Sequence, residues 1–105
     1  MVKARFCIRN DAASFTVTGH AGTQEAGNNI VCAAVSSAVY MTVNTITEIL
    51  SVDAQTEEKD GYMHVSFGGS KAAADIVKGL KLHLQALQEQ YPDIVKVSTE
   101  VSGNA

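Results

Sequence analysis

Two residues of this chain have the types and spacing for nucleophilic chemistry: His20 and Cys32. They bracket the stretch Ala21-Gly22-Thr23-Gln24-Glu25-Ala26-Gly27-Asn28-Asn29-Ile30-Val31, and small residues follow the cysteine as Ala33-Ala34-Val35-Ser36. A free cysteine, with an ordinary pKa of about 8.5, is mostly thiol at neutral pH. The nucleophile is the thiolate. A helix N-terminus favours that anion, because its first N–H groups have no carbonyl partner. A neighbouring imidazolium favours it further. A cysteine in the first helical turn, met by a histidine at the end of the preceding strand, therefore suits attack on a carbonyl carbon. The first-turn N–H groups would hold the oxyanion that forms. The histidine would take the thiol proton and return it to the leaving amine. Gly22 and Gly27 leave the backbone between the pair permissive, as a loop covering a substrate requires.

Each residue also has a plainer reading. Cys32 alone fits a small buried hydrophobe. His20 alone fits a surface residue at a strand end, and Asn29 alone fits a helix N-cap. His64 is expected on a strand face turned from the helices and His83 on a helix surface, which makes them weaker candidates for the base. Cys7 is the second of two cysteines. It falls on the outer face of a strand and is the one resolving partner that a redox-sensing Cys32 would have. Glu57-Glu58-Lys59-Asp60 reads as a solvated hairpin tip. No metal-ligand spacing, phosphate loop or paired-carboxylate arrangement stands out, so neither a metal nor a cofactor is expected.

The elements that must position this pair follow from periodicity. Val2, Ala4, Phe6 and Ile8 alternate with Lys3, Arg5 and Cys7, which predicts a half-buried strand. Asn10-Asp11-Ala12 makes a turn, and Ser14 to Gly19 a second strand with Phe15 and Val17 inward. Asn29 as N-cap would start a helix that carries Ile30, Val31 and Cys32 in its first turn and ends near Leu50. Its many β-branched residues cost a few tenths of a kcal/mol each, so it needs burial against a sheet. Asp60-Gly61 joins two further strand-like runs, Val52 to Glu58 and Gly61 to Phe67. Ser70 caps a second helix from Lys71 to about Gln90, with Ala73, Ile76/Val77, Leu80, Leu84 and Leu87 buried. Leu82 and Ala86 lie off that stripe, where they could meet a partner subunit. Tyr91-Pro92 stops the helix, and Ile94 to Val101 is the last strand. The order ββαββαβ implies an α+β two-layer sandwich: a mainly antiparallel five-stranded sheet with two helices on one face.

With these elements in place, the residues carry a family resemblance. Gly19-His20-Ala21, a short loop, and Gly27-Asn28-Asn29-Ile30-Val31-Cys32-Ala33-Ala34-Val35-Ser36 resemble the signature of the ribosomal-processing cysteine protease Prp family. Length and element order match as well. The resemblance implies one cysteine-protease-like domain over residues 1–105, with Cys32 as nucleophile, His20 as base and the Gly22/Gly27 loop as the substrate cover. It implies a homodimeric, cytoplasmic endopeptidase of Firmicutes and related bacteria. The substrate would be the precursor of large-subunit ribosomal protein twenty-seven, whose N-terminal extension is removed as the ribosome matures. The family usually has aspartate three positions before the cysteine, where this chain has Asn29. An asparagine can orient an imidazole, but it supplies no charge. The alternative is therefore a catalytically weak or inactive dimeric module that binds the same extension.

Composition is ordinary for a soluble globular protein. The 105 residues are 46% hydrophobic and 18% charged, enough apolar surface for one core without disulfides or metal. The net charge of −3 and the scattering of lysine and arginine along the chain disfavour nucleic acid and anionic membrane as partners. Two cysteines make no disulfide framework, which fits a reducing compartment. The N-terminus leads into a strand rather than an apolar signal core, so no export signal is expected. The apolar region Ile30 to Leu50 contains Ser36, Ser37, Asn44 and Glu48, which reads as too polar for a membrane span.

Overall fold

The structure, a computed structural model, describes residues 1–19 and 26–100, with residues 26–29 described by their backbone alone. The strands are β1 (Val2–Ile8), β2 (Ala13–Thr18), β3 (Gln55–Lys59), β4 (Tyr62–Phe67) and β5 (Val95–Thr99). The helices are α1 (Ala26–Asn44), continued by a π-helical turn over Thr45–Ile49, and α2 (Lys71–Gln90). The sheet order is β3-β4-β2-β1-β5. Three pairings are antiparallel, and β1/β5 is parallel. This is the expected α+β sandwich, with one parallel pair closing the sheet.

Strand alternation puts one residue parity inward. Val2, Ala4, Phe6, Phe15, Val17, Val65 and Val95 are fully or almost fully buried, in one cluster with Val31, Val35, Val39, Ile46, Val77 and Leu84 of the helical layer. The register sets Phe6 beside Phe15, rings stacked at 5.8 Å. Gly61 takes a left-handed φ of 71° to close the β3/β4 hairpin, which glycine does without steric cost.

α2 begins as its sequence dictates. The Ser70 hydroxyl accepts from the Ala73 N–H at 3.1 Å, the side-chain bond that defines an N-cap. α1 does not. It starts at Ala26, so Asn29 is its fourth residue and not its cap. The physical reason is that once residues 26–28 are helical, the N–H groups of Ile30, Val31 and Cys32 have carbonyls four residues back and need no side-chain acceptor. The apolar stretch Ile30–Ile49 has a mean hydropathy of 1.5, enough by length and composition to cross a membrane. Here one stripe of it packs into the core. Three of its threonines are satisfied within the helix: the hydroxyls of Thr42, Thr45 and Thr47 donate to the carbonyls of Ala38, Met41 and Val43. The next strand begins at Gln55 rather than Val52, because the Val52 N–H is bonded to the Ile46 carbonyl at 3.0 Å and finishes the helix instead.

Candidate functional site

The site is built on Gly19, the residue that follows β2. Its φ is +82°, and a Cβ on it would lie 2.2 Å from the Met1 carbonyl oxygen. No side chain fits that gap, so only glycine takes this position. The Gly19 N–H donates to the Gly61 carbonyl at 2.8 Å. The start of β1 and the β3/β4 turn thus fix this backbone unit from two sides.

Cys32 reaches it from α1. The thiol donates to the Gly19 carbonyl oxygen at 3.6 Å, a normal reach for sulfur. The next covalent step after that carbonyl is His20. Helical Cβ atoms lean toward the N-terminus, which lets the Cys32 side chain bridge back to the strand end. Cys32 is only 5% exposed and lies in the core beside Val31 and Val35. In this arrangement the backbone of Gly19 holds the side chain of Cys32.

The helix register corrects one expectation. Cys32 is the seventh residue of α1, not one of the first three. At 1.5 Å per residue, the unpaired N–H groups of residues 26–29 lie about 4.5 to 9 Å before it along the axis. The field of the helix end falls off within the first turn. Cys32's own N–H is therefore paired within α1, and the helix end supports a thiolate there less than it would one in the first turn.

Of the expected site residues, Cys32 lies on α1 against the Gly19 carbonyl. His20 and Gly22 lie outside the described residues. Gly27 and Asn29 are on the first turn of α1 by their backbone. The other imidazoles are placed away from the thiol. His64 is on the helix-free face of the sheet, its Nδ1 2.7 Å from the Thr16 hydroxyl, while Cys32 packs on the helix side. His83 is exposed and lines a groove between α1 and α2 that Cys32 does not line. Cys7 shares the helix-free face with Lys3 and Arg5, so the sheet separates it from Cys32. Both cysteines are free. That geometry leaves the redox-sensor reading without a resolving thiol among the described residues.

Sequence reasoning missed the role of Gly19. The signal was present as glycine directly before histidine at a strand end. The need for glycine becomes visible only when Met1 packs against it.

Comparison with known proteins shows what the chain is similar to in sequence and fold. The sequence profile of the family described as cysteine protease Prp matches residues 1–96. A Bacillus subtilis relative, called ribosomal processing cysteine protease Prp, is 28% identical over 96 residues, covering 84% of this chain and 86% of its own. The SMU.848 protein of Streptococcus mutans superposes with a TM-score of 0.78 at 29% identity, over 97% of this chain and 96% of that one. A Prp from S. aureus, solved with a substrate peptide, superposes with a TM-score of 0.85 at 22% identity, over 95% of this chain and 100% of that one.

Proposed function

The chain belongs to the family of the cysteine protease Prp, and from that premise we propose that it is a ribosomal-processing endopeptidase with Cys32 as nucleophile and His20 as base. One observation carries the assignment: the Cys32 thiol rests against the carbonyl that leads directly into His20. The substrate is the N-terminal extension of the precursor of large-subunit ribosomal protein twenty-seven. Support for this comes from the name of the Bacillus relative and from the motif around the pair.

The reaction starts by breaking the thiol's bond to the Gly19 carbonyl. His20 takes the proton, and the sulfur attacks the scissile carbonyl carbon. The oxyanion collapses to a thioester as the C–N bond breaks, and His20 gives its proton to the leaving amine. Water, deprotonated by His20, then hydrolyses the thioester and restores the thiol. Asn29 orients the imidazole. The segment bearing Gly22, which leads into α1 at Ala26, covers the peptide; Gly27, expected on that loop, is on the helix instead. The enzyme works in the cytoplasm and as a homodimer, and the apolar groove of about 620 Å³ between α1 and α2, lined by Met41, Ile76 and Leu80, supports the pairing of copies.

A second reading is favoured by the burial of Cys32, its place deep in α1 and the uncharged Asn29: a module that binds the same extension without cutting it. A peptide spanning the cleavage site separates the two. Wild type should cleave it, Cys32→Ala should not, and His20→Ala should be slower by about 10² or more. Binding without cleavage, with turnover appearing in Asn29→Asp, would instead establish the binding module. Cleavage that survives unchanged in Cys32→Ala would overturn the nucleophile.

A further inference from the structure

The lysines and arginines that look scattered along the sequence are gathered by the strand register onto one surface. The register gives two neighbouring rows across the helix-free face of the sheet. One reads Lys96, Lys3, Thr18, Tyr62, Lys59 from β5 to β3; the next reads Ser98, Arg5, Thr16, His64, Glu57. With strands about 4.8 Å apart, each row spans about 19 Å. Four of the eight lysines and arginines of a chain with net charge −3 are therefore on one face. Two carboxylates meet them: Glu100 lies 3.9 Å from Arg5, and Glu57 lies 3.7 Å from Lys59. Lys3 and Lys96 are directly paired across β1 and β5, and neither has an ion-pair partner among the described residues. Both side chains are exposed, so this pair of cations is open to an anionic ligand. Between them lies a hollow of about 280 Å³ lined by Lys3, Arg5, Thr16, Thr18, Lys96 and Ser98.

We propose that this face binds the phosphate backbone of single-stranded RNA. Cations and hydroxyls are the groups that hold phosphates. The face also carries Tyr62, half-buried, with Lys59 5.6 Å from its ring centre, and His64 two residues along β4. Sheet aromatics of this kind stack unpaired bases. A protein partner is disfavoured by the same rows. Interfaces between proteins need an apolar centre, and Tyr62 is the one large apolar side chain here. The face is on the opposite side of the sheet from Cys32, so an enzyme docked through it keeps its thiol side open. This inference does not depend on the proposed peptidase activity.

The test is fluorescence anisotropy of a labelled oligouridylate of about 12 nucleotides, titrated with the full chain from about 50 to 200 mM salt. Three phosphate contacts, from Lys3, Arg5 and Lys96, should give a log–log salt slope near −2. Lys3→Gln/Lys96→Gln should weaken binding at least tenfold and bring the slope to about −0.7. Lys81→Gln, on α2, should leave both close to wild type. The Lys3 and Lys96 side chains are exposed, so the double variant should keep the wild-type melting temperature and peptidase rate. Equal loss in Lys81→Gln would overturn the proposal. So would no binding at 50 mM salt, or an acidic peptide of equal charge competing as well as the RNA.

Discussion

At Gly19 and Cys32 the fold and the chemistry depend on the same atoms. The Gly19 carbonyl is the acceptor for the resting thiol, and its Cα sits where a methyl group would strike the Met1 carbonyl. Gly19→Ala should therefore cost more than about 2 kcal/mol, from a left-handed φ and a backbone clash together. Urea denaturation measures this, and a loss below about 0.5 kcal/mol would show that the β1 start yields instead. Cys32→Ser separates packing from chemistry. Serine keeps a donor for the Gly19 carbonyl, so stability should fall by no more than about 1 kcal/mol, while peptide cleavage should drop to the level of Cys32→Ala. Cleavage retained by the serine variant would argue against a thiolate nucleophile. The residue types at this site were legible in the sequence, since histidine, loop and cysteine are ordered along the chain. The requirement for glycine was not, because it is set by a carbonyl eighteen residues away that approaches only after β1 and β2 pair.

At the scale of elements, α2 could be read residue by residue, from the Ser70 cap to Tyr91-Pro92, because local chemistry decides both of its ends. The start of α1 could not. Asn29 has the propensity of a cap, yet the helix begins at Ala26, and propensity is a weak prior once backbone groups find partners. The two helices thus make opposite predictions for similar substitutions. Ser70→Ala should cost about 1 kcal/mol. Asn29→Ala should cost less than about 0.5 kcal/mol, the usual range for a residue that holds no special backbone feature, while slowing cleavage if Asn29 orients His20. Thermal melts of both variants check the first statement. Equal losses would restore Asn29 as a cap. A second contact between elements is the Tyr40 hydroxyl of α1 donating to the Glu58 carboxylate of β3. That bond, then burial and the carboxylate's charge, raises the Tyr40 pKa above its ordinary 10.0. The protonated phenol is the form that donates. Its contribution is complete below the unfolded pKa and is lost as pH rises through the higher folded one. Tyr40 is 39% exposed, so screening limits the effect to about 0.5 kcal/mol. Tyr40→Phe should abolish this alkaline part of the stability profile and leave the neutral part lower by that amount.

At the scale of the whole molecule, the sheet has one covered and one open face, and the helical layer has an apolar outer side of its own. Alternation in β1 and β2 showed which residues go inward. Sheet order and the gathering of distant lysines depend on β5 returning beside β1, which no local pattern encodes. The proposed homodimer would seat a second copy on the outer side of the helices. Met41 is 73% exposed and lines the groove with Ile76 and Leu80, and Asp75 and His83 lie at the same groove. A methionine so exposed beside a groove of about 620 Å³ gains by burial, at roughly 25 cal/mol per Å² of apolar surface removed from water. If copies pair through this groove, Met41→Lys places a charge in the apolar centre, where an unpaired ion is strongly disfavoured. Sedimentation velocity should then find wild type at twice the chain mass and Met41→Lys at the chain mass, with the fold kept because Met41 makes no part of the core. A variant that remains dimeric would move the interface elsewhere, and a monomeric wild type across the micromolar range would remove the homodimer from the proposed function while leaving the role of Cys32 untouched.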